Sequence, residues 1–235
     1  MFPRFIPSPR PAAAPVAPVL LVVGAHRDER AFGERVAALL DPARFTVLRI
    51  AVGICGARPR ADELPAYRRQ HAELYRQIAG YIAPAHRLLI DLHAGIHESG
   101  RCADVLCADA ALLAAVQARL TAPGLTARAG LPVVPPTPVR GVRLVADTAL
   151  AALPASREQP PEAPAGAPWA IVRPEIPASI WARPVPRYVG LEVYLQAEGA
   201  GQQDDWQFAR ALIETIADCA LGGGWPGAEA LRNNR

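Results

Sequence analysis

The sequence predicts an α/β domain of three layers: one mixed, largely parallel central sheet with helices on both faces. Three observations lead there. Short continuous apolar runs, rich in β-branched residues, recur along the chain and read as strands buried on both sides. Between them lie segments with apolar residues at three- and four-residue spacing, which read as amphipathic helices. Alternation of the two kinds calls for crossover connections and hence a largely parallel sheet. The 235 residues are 51% apolar and 20% charged, enough for a sizeable core in a single domain.

The elements follow in order. Residues 19–24 (VLLVVG) are the first strand. Residues 28–40 carry Phe32, Val36, Leu39 and Leu40 at helical spacing, and Asp41-Pro42 ends that helix. Residues 45–52 (FTVLRIAV) are a second strand, followed by the loop ICGARPRAD. Residues 63–82 form a long helix with Leu64, Tyr67, His71, Leu74, Ile78 and Tyr81 on one face, stopped by Pro84. Residues 87–92 (RLLIDL) are a third strand running into HAGIHESG. A short strand at 102–107, a helix at 109–120 and a strand at 139–145 come next. Residues 154–168 are a Pro-rich linker or exposed loop, part of a wider Pro-rich segment at 153–187. Residues 188–195 (YVGLEVYL) are a strand, and 204–221 a strong helix with Trp206, Ala209, Leu212, Ile213, Ile216 and Ala217 as its stripe. The single domain is therefore 18–221, with a disordered Pro-rich tail at 1–17 and a flexible tail at 222–235.

Composition narrows the function. The net charge of +3 gives no strong field for nucleic acid. No apolar run approaches the roughly 18 residues that span a bilayer. All 25 basic residues other than histidine are Arg, so Schiff-base and P-loop lysine chemistry are excluded. Cys55, Cys102, Cys107 and Cys219 form no CxxC pair or zinc-ribbon spacing and are expected to be reduced. The stretch MFPRFIPSPRPAAAPVAP lacks a continuous apolar region, so no signal peptide is read there and a cytoplasmic protein is expected. Its expected partner is a small molecule or a short peptide, not nucleic acid or membrane; the oligomeric state stays open.

In sheets of this kind ligands bind beyond the carboxyl ends of the strands. After the first strand stands Gly24-Ala25-His26-Arg27-Asp28-Glu29, after the third Asp91-Leu92-His93, and within the late strand Glu192. Two His and a carboxylate are the ligand vocabulary of a catalytic zinc site. At a strand-to-helix turn His26 and Glu29, three residues apart, can point at one ion, and the start of a helix favours the Glu29 charge. Asp91 lies on the same face of an extended segment as His93 and is placed to orient an imidazole. Glu192 is flanked by Leu, Val and Tyr, an unusual setting for a carboxylate unless it faces a site. His71 and His86 are read as structural and His97 as a surface residue; Tyr188 and Tyr194 are read as packing. No Gly-rich fingerprint follows the first strand, which argues against nucleotide binding.

These segments resemble a known family. VVGAHRDERAFGERVAALL is similar to the opening of the zinc carboxypeptidase-like superfamily, in particular its succinylglutamate desuccinylase/aspartoacylase branch. RLLIDLHAG resembles that branch's strand with the third zinc ligand, and GLEVYL the strand with the catalytic Glu. The resemblance implies a zinc-carboxypeptidase-like fold and one zinc ion per chain on His26, Glu29 and His93. It implies hydrolysis of an amide bond in a small N-acyl amino acid or similar carboxylate-bearing substrate, with Glu192 moving the proton. It also implies arginines for the oxyanion and the substrate carboxylate. Arg58 and Arg60 stand in the loop where the family's Asn-Arg motif is not visible, and Arg101 follows the His93 strand. Arg27 replaces the usual Gly after the first His. A metallocarboxypeptidase-type peptidase on short peptides, and a non-catalytic binding module on a degraded fold, are the alternatives.

Overall fold

The computed structural model describes residue 5 and residues 16–55, 59–96, 102–121, 142–145, 176–195 and 199–222. Arg58, Arg101, His97, the Pro-rich stretch 154–168 and the tail from 223 onward lie outside the described residues. The elements are β1 (Val19–Val23), α1 (Arg30–Ala37), β2 (Phe45–Arg49), α2 (Leu64–Tyr81), β3 (Leu88–Ile96), β4 (Cys102–Leu106), α3 (Ala110–Thr121), β5 (Val142–Val145), α4 (Ala178–Trp181), β6 (Arg187–Leu195) and α5 (Gln203–Ala220).

Among the described residues the strands form one six-stranded sheet in the order β2-β1-β3-β6-β4-β5. The first four run parallel to one another. β4 is antiparallel to β6, and β5 is parallel to β4. The sheet is thus mixed and largely parallel, and both its faces are covered. Alternation along each strand sorts the apolar residues into two cores. Val19, Leu21, Val23, Leu88, Ile90, Leu92, Val189, Leu191 and Val193 pack against α1, α3 and α5. Leu20, Val22, Leu89 and Tyr188 pack against Leu74, Tyr75 and Ile78 of α2 and Ile180 of α4.

The helix ends follow from local chemistry. Pro65 sits in the first turn of α2, where its missing N–H costs no helical bond. Gln202 and Asp205 bond reciprocally across the start of α5, and Asp204 and Asp205 place negative charge at its N-terminus.

Three details differ from the sequence reading. Phe5, inside the expected tail, is buried in the α2-side core; its amide donates to Gln77 Oε1 at 2.9 Å and its carbonyl accepts from Ala51. An aromatic flanked by prolines hides this seat, because local pattern says nothing about a distant pocket. β3 continues to Ile96 instead of ending at residue 92, since β6 pairs with it along its whole length, from Leu88 with Arg187 to Ile96 with Leu195. The end of the Pro-rich segment is ordered, with α4 docking Ile180 in the core. No disulfide links the four cysteines.

Candidate metal centre and catalytic cavity

The site forms on the α2 face of the sheet, at the carboxyl ends of β1, β3 and β6. The first piece is the turn after β1. Gly24 takes φ +79, a left-handed conformation that residues with a Cβ rarely adopt, and swings the chain out of the strand. The turn is then pinned to the segment after β2: Ile54 N donates to Ala25 O at 2.8 Å, and Arg27 N to Ile54 O at 2.9 Å. Gly53 makes this closeness feasible, because a Cβ there would stand 2.5 Å from Gly24 O and 2.9 Å from Arg27 N. The Arg27 side chain turns away, with Nε donating to Gly53 O at 2.8 Å. The cation that follows His26 therefore serves to tie down the turn.

His26 and Glu29 are presented by this turn, with Glu29 at the N-cap position of α1 but its side chain making no capping bond. His93 comes from β3, where the alternation that buries Leu88, Ile90 and Leu92 on one side puts Asp91 and His93 on the other. The three side chains converge. His26 Nδ1 lies 2.7 Å from Glu29 Oε1, and His93 Nδ1 lies 3.0 Å from Glu29 Oε2. One ligand atom from each of His26, Glu29 and His93 lies within 4.8 Å of the others. Each imidazole–carboxylate contact needs a positive charge between a nitrogen lone pair and an oxygen, supplied by a proton or by a metal ion. Two imidazoles with the same nitrogen turned to one carboxylate make a donor set that fits zinc. These three residues can hold a metal ion.

The far side of each imidazole is also held. His93 Nε2 lies 3.2 Å from Asp91 Oδ2. Asp91 is fully buried, and Oδ2 also accepts from Tyr75 OH at 2.8 Å and Tyr188 OH at 3.0 Å. Burial pushes the Asp91 carboxyl up, but the His93 charge and the three hydrogen bonds outweigh it and leave it below the ordinary value. Burial alone would lower His93; the Asp91 and Glu29 carboxylates instead raise it well above the ordinary value. For Glu29, burial opposes the charge of His93 and the hydrogen bonds from both imidazoles, and the latter hold it at about 2. Tyr188, read from the sequence as packing, uses its hydroxyl here as well as its ring.

His26 has a different support. Its Nε2 lies 3.1 Å from Nε2 of His71, on α2. His71, read as structural, lines the cavity next to the metal-type cluster. It is the residue that sequence reasoning missed; its place on the buried face of the helix gave its direction but not what it meets. His86, by contrast, is structural: it is buried, and its Nδ1 accepts from Ala83 N at 2.9 Å.

Glu192 stands on β6 directly opposite His93 in the parallel register, and opposite Asp104 of β4 on its other side. Gly95 leaves room for it, since a Cβ there would lie 2.9 Å from Glu192 Oε1. Burial, together with the negative charges of Glu29, Asp104 and Asp91 and against the pull of His93, raises its carboxyl to about 8. Asp104 accepts from Tyr194 OH at 3.0 Å, so the second flanking tyrosine is also held by its hydroxyl.

A cavity of about 220 Å³ opens over these groups. His26, His71, His93 and Glu192 lie in its wall, with Leu64, Tyr67, Leu106 and Ile176 adding apolar surface. Arg60 does not line it: that residue is exposed, and its amide donates to Glu63 Oε2 at 2.9 Å at the start of α2. The reason is geometric, since the segment after β2 is drawn to the His26 turn and then leads away into the helix. The arginine in the cavity wall is Arg68, on α2.

No family model and no curated protein matches the chain. Among solved structures, murine aminoacylase 3 is 16% identical over 89% of this chain and 66% of its own, with a TM-score of 0.39. The catalytic domain of the CD27L endolysin targeting Clostridia difficile is 10% identical over 87% of this chain and 96% of its own, at 0.39. The catalytic domain of CwlV, an N-acetylmuramoyl-L-alanine amidase from Bacillus (Paenibacillus) polymyxa, is 13% identical over 87% and 96%, at 0.35. At these scores no activity passes from those proteins to this chain.

Proposed function

We propose that this protein is a zinc-dependent hydrolase that cleaves an amide bond in a small N-acyl amino acid or similar carboxylate-bearing substrate. The supporting observation is the convergence of His26 Nδ1 and His93 Nδ1 on the two oxygens of Glu29, with Glu192 one strand away. His26, Glu29 and His93 would hold one zinc ion. When bound, zinc supplies Lewis acidity, which brings the pKa of water toward neutral and polarises a carbonyl.

The chain's own groups do the rest. Glu192 takes a proton from the attacking water on its carboxylate and returns it to the leaving amine. Its raised affinity for protons, near 8 in the chain alone, makes both transfers accessible at neutral pH, and a cation held beside it would draw that value down. Asp91 keeps His93 oriented. The apolar wall excludes water from the reacting bond, and Arg68 offers the cation for a substrate carboxylate. The cavity's volume of about 220 Å³ suits a small substrate.

The test is metal content together with turnover. Purified protein should hold one zinc per chain, and His26→Ala and His93→Ala should each lose it. Glu192→Gln should keep the zinc while hydrolysis of N-acyl amino acids falls by about 10²–10⁴-fold. A wild type that takes up no zinc on reconstitution would sink the proposal. Zinc bound with no turnover on N-acyl amino acids or short peptides, and no effect of Glu192→Gln, would mean a binding module instead.

A further inference from the structure

The two imidazoles of the centre must each present Nδ1, and this requires that the proton on the far nitrogen be held elsewhere. For His93 the acceptor is Asp91. For His26 the far nitrogen meets His71, and two imidazole nitrogens 3.1 Å apart can share only one proton. Which of them carries it is settled by the other end of His71. Its Nδ1 lies 3.0 Å from the carbonyl oxygen of Tyr67, one helical turn back on α2. A carbonyl oxygen only accepts, so His71 Nδ1 bears the hydrogen. In the neutral ring Nε2 is then a bare lone pair aimed at His26, and His26 Nε2–H must donate to it. The Tyr67 ring packs against His71, with centroids 4.1 Å apart and planes tilted by 44°, and restricts rotation of the imidazole.

Resting on the metal-centre reading above, we propose that His71 is a positioning residue. Fixed by the Tyr67 carbonyl, it accepts the Nε2 proton of His26 and so commits His26 to binding metal through Nδ1. A chain runs from helix backbone to His71, to His26, to the metal position. It is built from a neutral acceptor, where His93 has an anionic one. The shape of α2 thereby sets the tautomer of a ligand carried by the turn after β1.

Two measurements test this. The first uses the zinc-loaded wild-type protein and needs no variant: proton–nitrogen correlation spectra report which ring nitrogens bear hydrogen. His71 should show Nδ1–H with a bare Nε2, and His26 should show Nε2–H. A hydrogen on His71 Nε2 would overturn the proposal. The second is zinc affinity by competition with a chromophoric chelator. His71→Phe keeps a flat ring but accepts nothing, and should weaken zinc by about 10- to 100-fold. His71→Gln, whose amide oxygen can accept, should recover most of that loss, which a purely packing role would not predict. Phe and Gln variants that both bind as tightly as wild type would overturn the proposal and leave the centre standing. A second zinc per chain that disappears with His71 would overturn it too, since His71 Nε2 would then be a ligand. A wild type that binds no zinc at all would remove the centre and this proposal together.

Discussion

His93 and His26 reach the same carboxylate from two different kinds of structure. His93 rises from the middle of the sheet, between β1 and β6, and its acceptor Asp91 is fully buried under two tyrosine hydroxyls. His26 rides on a turn outside the strand, held by two backbone hydrogen bonds to the segment after β2, by the Arg27 side chain and by one neutral imidazole. The strand-borne ligand is supported by charge, the turn-borne ligand by backbone geometry. The difference teaches that a metal centre can combine one ligand fixed electrostatically with one fixed by shape, and the two should fail in different ways.

The largest effect should come from the charged support. Asp91→Ala leaves His93 beside one carboxylate instead of two and deprives Tyr75 and Tyr188 of their acceptor. It should cost about 3–5 kcal/mol in urea unfolding of the chelated protein, as expected when one partner of a buried pair is removed. His71→Phe, its counterpart on the other arm, should cost less than about 1 kcal/mol by the same measurement. Equal losses would erase the contrast.

The next effect depends on pH. Glu192 has a folded-state value of about 8 against an ordinary 4.5, so folding penalises its charged form. The wild type is fully stable in this respect below pH 4.5 and loses stability as pH rises toward 8. Glu192→Gln carries no such penalty. In chelated protein the variant should gain on wild type by about 1.4 kcal/mol per pH unit across that window, reaching about 3 kcal/mol near neutrality. A stability difference that stays flat with pH would show that the carboxyl is not so burdened.

The shape-based arm should respond to Gly53→Ala. The added Cβ has only backbone to meet, so the His26 turn must move, at a cost of about 1–3 kcal/mol and with weaker zinc uptake. Gly95→Ala should be the mildest for the fold, since the Cβ meets the Glu192 carboxylate and the Tyr194 ring, both side chains. Turnover should drop by about 10²-fold while zinc binding and thermal unfolding barely change, because the proton carrier alone is displaced.

The residues that stand at strand ends were legible in the sequence. A buried strand announces itself by an unbroken apolar run, so the polar residues that interrupt or follow it, His26, Asp91, His93 and Glu192, stand out. Their supports did not. Helical spacing marked Tyr67, His71, Leu74 and Ile78 as one face of α2, but periodicity states that a face is covered and not by what. Tyr75 and Tyr188 read as apolar bulk because their rings are, while their hydroxyls act through a carboxylate 16 and 97 residues away in the chain. Strand order was equally hidden: nothing local in residues 102–107 signals that β4 runs against β6.

The position of β6 has a consequence for how the chain acquires its chemistry. Among the described residues β6 is the last strand in sequence, yet it lies in the interior of the sheet, wedged between β3 and β4. His26, Glu29 and His93 are all made within the first 93 residues, and Glu192 about a hundred residues later. During synthesis the metal-type ligands emerge long before the proton carrier, and β3 must wait with one edge open until β6 arrives to fill it. Contacts so distant in sequence form slowly. On the proposed function, a chain stalled before that insertion would capture an ion without being able to use it, and activity would wait for the final closure of the sheet.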